Sequence, residues 1–371
     1  MTNPVLLLVG DSETNQNLYY KTSFLAGDPF VYVENGDRRL MVITPFEQGR
    51  ARQESSTSEV RTFDDYGHTE LVRELGDRSK AWSTMVRRIV KEFGDSATVE
   101  GSFPVHLADS LRSQGVALEV DPQLLMLERR RKSDEQVAAI AEAQQATERA
   151  MTQAISILAA SEVHLGVLHY NGIPLTSERL RSEVELSLTR DGMDPGTPVI
   201  AAGPGAADPH WKGAGPIQPG DSVVLDIFPR SKTTRYFADC TRTVVRGEPR
   251  PELAAMYDAV LHAQEAALRE IRAGTNGKNV HEAVLAVFRE AGYEREEGPK
   301  FIHSTGHGVG LNIHEGPGLG ISDVELLEGD VVTVEPGLYD SQVGAIRIED
   351  LVVVTKDGYR NLTQLAKEFE V

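Results

Sequence analysis

The sequence predicts an α/β protein in two parts. A small N-terminal α/β domain spans residues 1–128. A larger domain over 129–371 is built on strand pairs related by a pseudo-twofold axis. Three observations carry this reading. The chain has 371 residues, enough for two domains with their own cores. Residues 1–125 alternate short strand-like runs with helical ones. The second half holds a concealed repeat, "GDSVVLD" at 220–226 and "GDVVTVE" at 329–335. Both copies begin Gly-Asp, run into a β-branched strand, and place a carboxylate six residues after the glycine.

In the front part, "FVYVENGDRRLMVIT" predicts a hairpin, with Asn35-Gly36 turning between two apolar runs. "WSTMVRRIVKEF" has the periodicity of an amphipathic helix. His68 and His106 have no evident partners there and read as surface or core polar residues. A boundary falls near "LMLERRRKSDEQ". Its basic run, Arg129–Lys132, could hold an anion but reads better as a solvated face at a junction. Ser133 and Gln136 form a capping box for a long helix ending near Leu158. Further helices are expected around 176–191, 251–272 and 279–291. The helix from 251 carries Pro251 in its first turn and Gly274 beyond its end.

Composition excludes several partners. The formal charge of −18 argues against nucleic acid and against an anionic membrane. A single cysteine, Cys240, rules out an internal disulfide and fits a reducing compartment. The N-terminal stretch "MTNPVLLLVGDSE" has no basic start and only a short apolar run, so a cytoplasmic protein is expected.

Each strand of the repeat is followed by a second strand bearing a further carboxylate: Asp239 in "YFADCTRTVV" and Glu349 in "IRIEDLVVV". The intervals are 13 residues from Asp226 to Asp239 and 14 from Glu335 to Glu349. Four carboxylates on strands must be paired, protonated or bound to metal if they are buried. Arg242 and Arg347 are too few to neutralise them. Two divalent cations would do so, and one imidazole would complete the shells. Such a donor set suits Mn²⁺, Co²⁺, Fe²⁺ or Zn²⁺. Paired ions hold and deprotonate a water between them, which supplies a nucleophile near neutral pH.

The imidazole comes from "HSTGHGVGLNIHE", residues 303–315. Three glycines in five residues make a helix unfavourable there. As an extended strand of period two, it would put His303, Thr305, His307, Val309, Leu311 and Ile313 on one face. The other face would carry Ser304, Gly306, Gly308, Gly310, Asn312 and His314, nearly bare backbone open to close approach. That pattern suggests a ligand-facing strand; a glycine-rich bend with incidental histidines is the alternative.

"LDIFPR…YFADCTRT", "HSTGHGVGLNIHE", "TVEPGLY" and "IRIEDLVVV" resemble the motif series of the pita-bread metallopeptidases. That family includes aminopeptidase P, prolidase and methionine aminopeptidase, with creatinase as a metal-free relative. The resemblance covers about residues 134–371. The front domain resembles the small N-terminal domain of the creatinase, prolidase and aminopeptidase P branch, which methionine aminopeptidases usually lack. The resemblance implies five metal ligands, Asp226, Asp239, His307, Glu335 and Glu349, with Asp239 and Glu349 bridging two divalent ions, Mn²⁺ foremost. Glu335 would also act as general base and then acid. His210 and His314 would contact substrate at the scissile amide, and His303 and Arg347 would lie on the substrate side. The Asp226–Asp239 hairpin is slightly longer than the family's usual spacing, an insertion the turn "PRSKTTR" can absorb.

The activity so implied is hydrolysis of Xaa-Pro bonds, as a dipeptidase or an aminopeptidase, by a homodimer acting on small peptides with proline second. Creatinase-type or broader amide hydrolysis is the enzymatic alternative. A catalytically silent binding protein is the non-enzymatic one. The presence of all five ligand types counts against both. Cys240 reads as core packing rather than a nucleophile, because Asp239 beside it disfavours a thiolate. Trp211 reads equally as a wall of a proline pocket or as packing. His164, His169, His262 and His281 read as surface or core residues.

Overall fold

Strands Phe30–Asn35 and Arg38–Ile43 pair antiparallel with Asn35 opposite Arg38, and Gly36 takes φ +59°, which only a residue without a Cβ adopts freely. The expected hairpin forms, with its turn one residue further on, at Gly36-Asp37 rather than Asn35-Gly36. The computed structural model describes residues 5–294 and 297–371; the first four residues of the N-terminal stretch read above lie outside the described residues. The chain divides into two units, Met1–Arg129 and Arg130–Val371.

The first unit is a six-stranded mixed sheet. Its order is Glu59–Thr62, Arg38–Ile43, Phe30–Asn35, Val5–Gly10, Ser96–Glu100, Ala117–Asp121. The period-two pattern sorts the hairpin onto two cores. Val31 and Val33 pack with Met85, Ile89 and Leu111 from helices Arg78–Lys91 and Val105–Ser113. Phe30 and Tyr32 pack with Leu18, Phe24 and Met41 on the opposite face. His68 lies edge-on to Phe63 and Trp82.

The second unit is two strand assemblies, each backed by a helix pair. Ser222–Ile227 lies between Val199–Ala202 and Cys240–Val245, all antiparallel. Its core is shared with helices Asp134–Ala159 and Ser177–Arg190. The other assembly is a five-stranded antiparallel sheet in the order Glu315–Leu319, Gly306–Gly308, Val331–Val334, Asp350–Val354, Tyr359–Asn361, beside the pair Gly337–Asp340 and Gly344–Arg347. Helices Pro251–Glu270 and Gly277–Glu290 supply its core. The repeat in sequence is thus a repeat in structure: strand pair plus two helices, twice. The capping box at Ser133 is formed, with Ser133 N donating to Gln136 Oε1 at 2.9 Å. The two halves are tied where Glu349 N donates to the Thr241 carbonyl and Arg347 N to Thr243 Oγ1.

Two expectations are corrected. The basic run is not a solvated face, since only Arg131 is exposed. Arg130 is buried and donates through Nε and Nη2 to both oxygens of Asp330, at 2.9 and 2.6 Å. Lys132 is buried and its Nζ donates to Glu315 Oε1 at 2.7 Å. The run is basic because each of these two buried side chains meets a specific carboxylate, Asp330 fully buried and Glu315 half-buried.

The histidine stretch is not one continuous strand either. Only Gly306–Gly308 is extended, with a register shift inside it, and the chain then folds back. A Cβ at Gly306 would collide with the Thr333 carbonyl, one at Gly308 with the Gly316 carbonyl, and one at Gly310 with the Glu315 carboxylate. The glycines admit neighbouring chain, not a ligand. The alternation of faces fails after Gly308, and His314 returns to stand edge-on to His307, ring centroids 4.3 Å apart.

The hairpin after Asp226 is anchored by a short strand pair. Arg230–Ser231 pairs with Met193–Asp194, and Arg230 Nη2 donates to Asp194 Oδ2 at 3.1 Å. Cys240 is fully buried, and burial pushes its thiol up, as befits packing. Trp211 lies against Gly205, where its ring leaves no room for a Cβ. Among the described residues, no helix is long and apolar enough to cross a membrane.

Candidate metal centre

Strand geometry delivers the carboxylates to one place. Asp226 lies opposite Thr241 one residue before the end of its strand, and Asp239 immediately precedes the partner strand. Glu335 follows Val334, whose partner is Asp350, and Glu349 immediately precedes Asp350. Ligand atoms of Asp239, His307 and Glu349 all lie within 4.8 Å of one another. Glu335 adjoins this group, its Oε1 3.3 Å from His307 Nε2, while Asp239 Oδ2 is 3.6 Å from the same nitrogen. Asp226 is engaged differently: its Oδ2 accepts from Arg347 Nη2 at 2.5 Å.

The histidine's tautomer bears on what belongs between these groups. His307 Nδ1 lies 3.1 Å from the Gly308 carbonyl, which can only accept. Nδ1 therefore carries the hydrogen, and the Nε2 lone pair faces Asp239 and Glu335. A lone pair set against two carboxylates is repulsive unless a proton or a metal cation sits among them. Backbone anchorage of the distal nitrogen is also how ligating histidines are commonly oriented.

Burial sharpens the same point. It pushes the Asp239 and Glu349 carboxyls well above their usual range, and each is raised further by neighbouring carboxylates. Glu335 is pushed up to about 7, burial first; Arg347 opposes this and Asp226 adds to it. Burial lowers His307, and His314 is lowered by burial and then by His307. Three buried carboxylates and one neutral imidazole, mutually destabilised and converging, fit a divalent cation.

The surrounding residues hold the ligands in place. Thr241 Oγ1 donates to Glu349 Oε2 at 2.7 Å, and Thr333 Oγ1 donates to Glu335 Oε1 at 3.2 Å. Two fully buried glutamines brace the two halves. Gln144 Oε1 accepts from Asp239 N, and Gln264 Nε2 donates to the carbonyls of Val334 and Ile348, each just before a glutamate of the cluster. On the other side, Arg347 Nη1 donates to Tyr339 Oη at 3.0 Å, and His303 Nε2 meets the same hydroxyl at 2.7 Å. Burial, then Arg347, lowers His303 to about 4. His314 and His210 are exposed, His314 beside His307. His281 is buried against Thr305 Oγ1 and belongs to the packing behind the strand. Residues 241, 333, 339, 144 and 264 are absent from the sequence-derived set. Thr241 and Thr333 each sit two residues from a ligand and so share its strand face, a signal the sequence does contain.

This fold and this carboxylate–histidine cluster define a metallopeptidase class, and the chain belongs to it: residues 138–356 match metallopeptidase family M24. A Xaa-Pro dipeptidase of Pyrococcus furiosus is 39% identical over 172 residues, spanning 46% of this chain and 48% of that protein, so the match covers about half the relative's length. A Xaa-Pro dipeptidase from Bacillus anthracis superposes with a TM-score of 0.82 at 26% identity, covering 99% of this chain and 95% of that one. An X-Pro aminopeptidase from Thermotoga maritima does so with a TM-score of 0.82 at 26% identity, covering 100% and 98%.

Proposed function

We propose that the protein is a divalent-metal-dependent peptidase that cleaves Xaa-Pro bonds in small peptides. The observation that carries this is the convergence of Asp239, His307 and Glu349, with Glu335 alongside, on a pita-bread fold shared with Xaa-Pro peptidases. In this reading residues 129–371 are catalytic and residues 1–128 form a separate N-terminal domain. Asp226, Asp239, His307, Glu335 and Glu349 would hold two ions, with Mn²⁺ favoured over Co²⁺, Zn²⁺ or Fe²⁺ by a set of four carboxylates and one imidazole. When bound, such ions polarise the scissile carbonyl and lower the pKa of water at the site.

The chain's own residues do the rest. Glu335, held by Thr333, accepts the proton of the attacking water and returns it to the leaving amine. His314, His210, His303 and Arg347 face the peptide. Arg347 is fixed from two sides by Asp226 and Tyr339, so its guanidinium is presented in one orientation. A homodimer in the cytoplasm is the expected setting.

The test is an assay with Mn²⁺ of Ala-Pro, Ala-Pro-Ala and Ala-Ala. Cleavage of the prolyl peptides, with Ala-Ala turned over poorly, is expected. Equal kcat/KM for Ala-Pro and Ala-Ala would overturn the specificity. The ratio of Ala-Pro to Ala-Pro-Ala separates a dipeptidase from an aminopeptidase.

A further inference from the structure

The basic run at the start of the second unit has no part in the reaction as described, yet it reaches the histidine loop. Lys132 is held through its backbone by Gly329 O at 3.3 Å and extends an almost fully buried side chain, 1% exposed, to Glu315. Glu315 directly follows His314. Its carboxylate presses on Gly310, where a Cβ could not fit, so the loop 310–315 is closed across its own base. Other ties at the loop are Phe237 N to the Gly310 carbonyl and Gly310 N to the Asn312 carbonyl at its first residue, and Asn312 N to Glu315 Oε2 at 3.5 Å, with Glu315 itself opposite Gly308 in the strand pair. The returning end, where His314 sits, is held on its side-chain face by Lys132. The His314 ring is exposed, so its place beside His307 follows from where its backbone is put.

A buried ion pair is a poor device for stability alone. Desolvating an ammonium and a carboxylate offsets much of their attraction, and apolar replacements of similar size are often neutral or better. What such a pair does supply is direction, because one N–H···O bond fixes one carboxylate position. We propose that Lys132 is a positioning residue: through Glu315 it sets the loop that places His314 against His307, and so acts on substrate without touching it. This rests on reading His314 as a substrate-side residue.

The experiment has two independent readouts. The first is amide hydrogen exchange of residues 309–315 in the full-length protein, with Lys132→Met compared to the parent. Faster exchange there, with unchanged exchange at 331–334 and unchanged metal content, is expected. The second is kcat/KM on the best prolyl peptide in a cycle of Lys132→Met and His314→Ala. Misplacing a substrate contact by about an ångström can cost up to ~100-fold. Lys132→Met should therefore lower kcat/KM by about 10- to 100-fold in the parent and by less than about twofold in the His314→Ala background. Should Lys132→Met leave Glu315 too costly to bury, Lys132→Met/Glu315→Gln removes both charges and takes its place.

Unchanged exchange at 309–315, or the same fold-loss in both backgrounds, would overturn the proposal and leave the pair a packing element. If the parent cleaves no prolyl peptide, the functional reading fails on its own, and the positioning of the loop is judged by the exchange result.

Discussion

Arg347 donates to Asp226 Oδ2 at 2.5 Å, and Nε of the same guanidinium donates to Thr241 Oγ1 at 3.2 Å. Asp226 is thereby the one expected ligand already satisfied by a cation from the protein. The other four face each other around the His307 Nε2 lone pair. The ligand atoms of Asp239, His307 and Glu349 already converge for one ion, with Glu335 alongside, whereas a second ion must draw Asp226 away from Arg347. Metal binding is expected in two phases, a tighter and a weaker one, by calorimetric titration of the apoprotein with Mn²⁺. Replacing Arg347 by Met should tighten the weaker phase. A single phase of two equivalent ions would refute this ordering.

Glu335→Gln preserves the shape at the cluster and can still accept from Thr333, but it cannot take a proton. Turnover should fall by about 10²–10⁴-fold, the usual contribution of a general base, while at least one ion is retained on metal analysis. Turnover within a few-fold of the parent would remove the proton-shuttling role.

Gln264 donates to the carbonyls of Val334, which lies in the ladder opposite Asp350, and of Ile348, which faces Pro336, a residue with no N–H to offer. Gln264→Leu leaves the Ile348 carbonyl buried without that donor, at about 1–3 kcal/mol. For a unit of this size that corresponds to a fall in Tm of roughly 2–4 °C per kcal/mol. Because those carbonyls precede Glu335 and Glu349, apparent metal affinity should fall as well. A Tm drop with unaltered affinity would confine Gln264 to packing.

Most of the catalytic half was legible because its signals are local or repeat. Ser133-x-x-Gln136 and Pro251 mark helix starts by chemistry within one turn. Asp226 and Glu335 betray each other through the shared Gly-Asp openings. What escaped depends on distance along the chain. Arg130 finds Asp330 200 residues away, and Lys132 finds Glu315 at 183. A run of four bases carries no mark of such partners. The glycines at 306, 308 and 310 have strand spacing, so they mimic a bare ligand face. Their cause is the close passage of Thr333, Gly316 and the Glu315 side chain, which only tertiary structure reveals. Tyr339 and Gln264 act on the site from a neighbouring strand and a helix, and nothing in their own neighbourhoods announces it.

The pH dependence of stability in the metal-free protein follows from the same crowding. Burial raises Asp239 and Glu349 well above their usual range and Glu335 to about 7, against about 4.3 for a free glutamate. The folded apoprotein thus holds protons that the unfolded chain releases. This contribution is fully present below about pH 4 and is lost as pH rises through the folded values, for Glu335 between about 4.3 and 7. The histidines run the other way. Burial lowers His303 to about 4 and also lowers His307, so their stabilising effect is present above about pH 6.5 and is lost on acidification. Comparison of parent with Glu335→Gln separates the two, since the histidines are common to both. After exhaustive chelation, the parent should lose stability relative to Glu335→Gln between pH 5 and 8, by on the order of a few kcal/mol. Mn²⁺ should reverse the loss, adding about 2.7 kcal/mol per ion at 100-fold excess over Kd, with a gain that grows over the same interval as protons leave the carboxylates. Thermal melts of both chains at pH 5, 6.5 and 8, with and without Mn²⁺, provide the measurement. Parallel curves for parent and Glu335→Gln without metal would mean that Glu335 is not held protonated by the cluster. A Mn²⁺ effect equal at all three values would mean that these carboxylates are not its ligands.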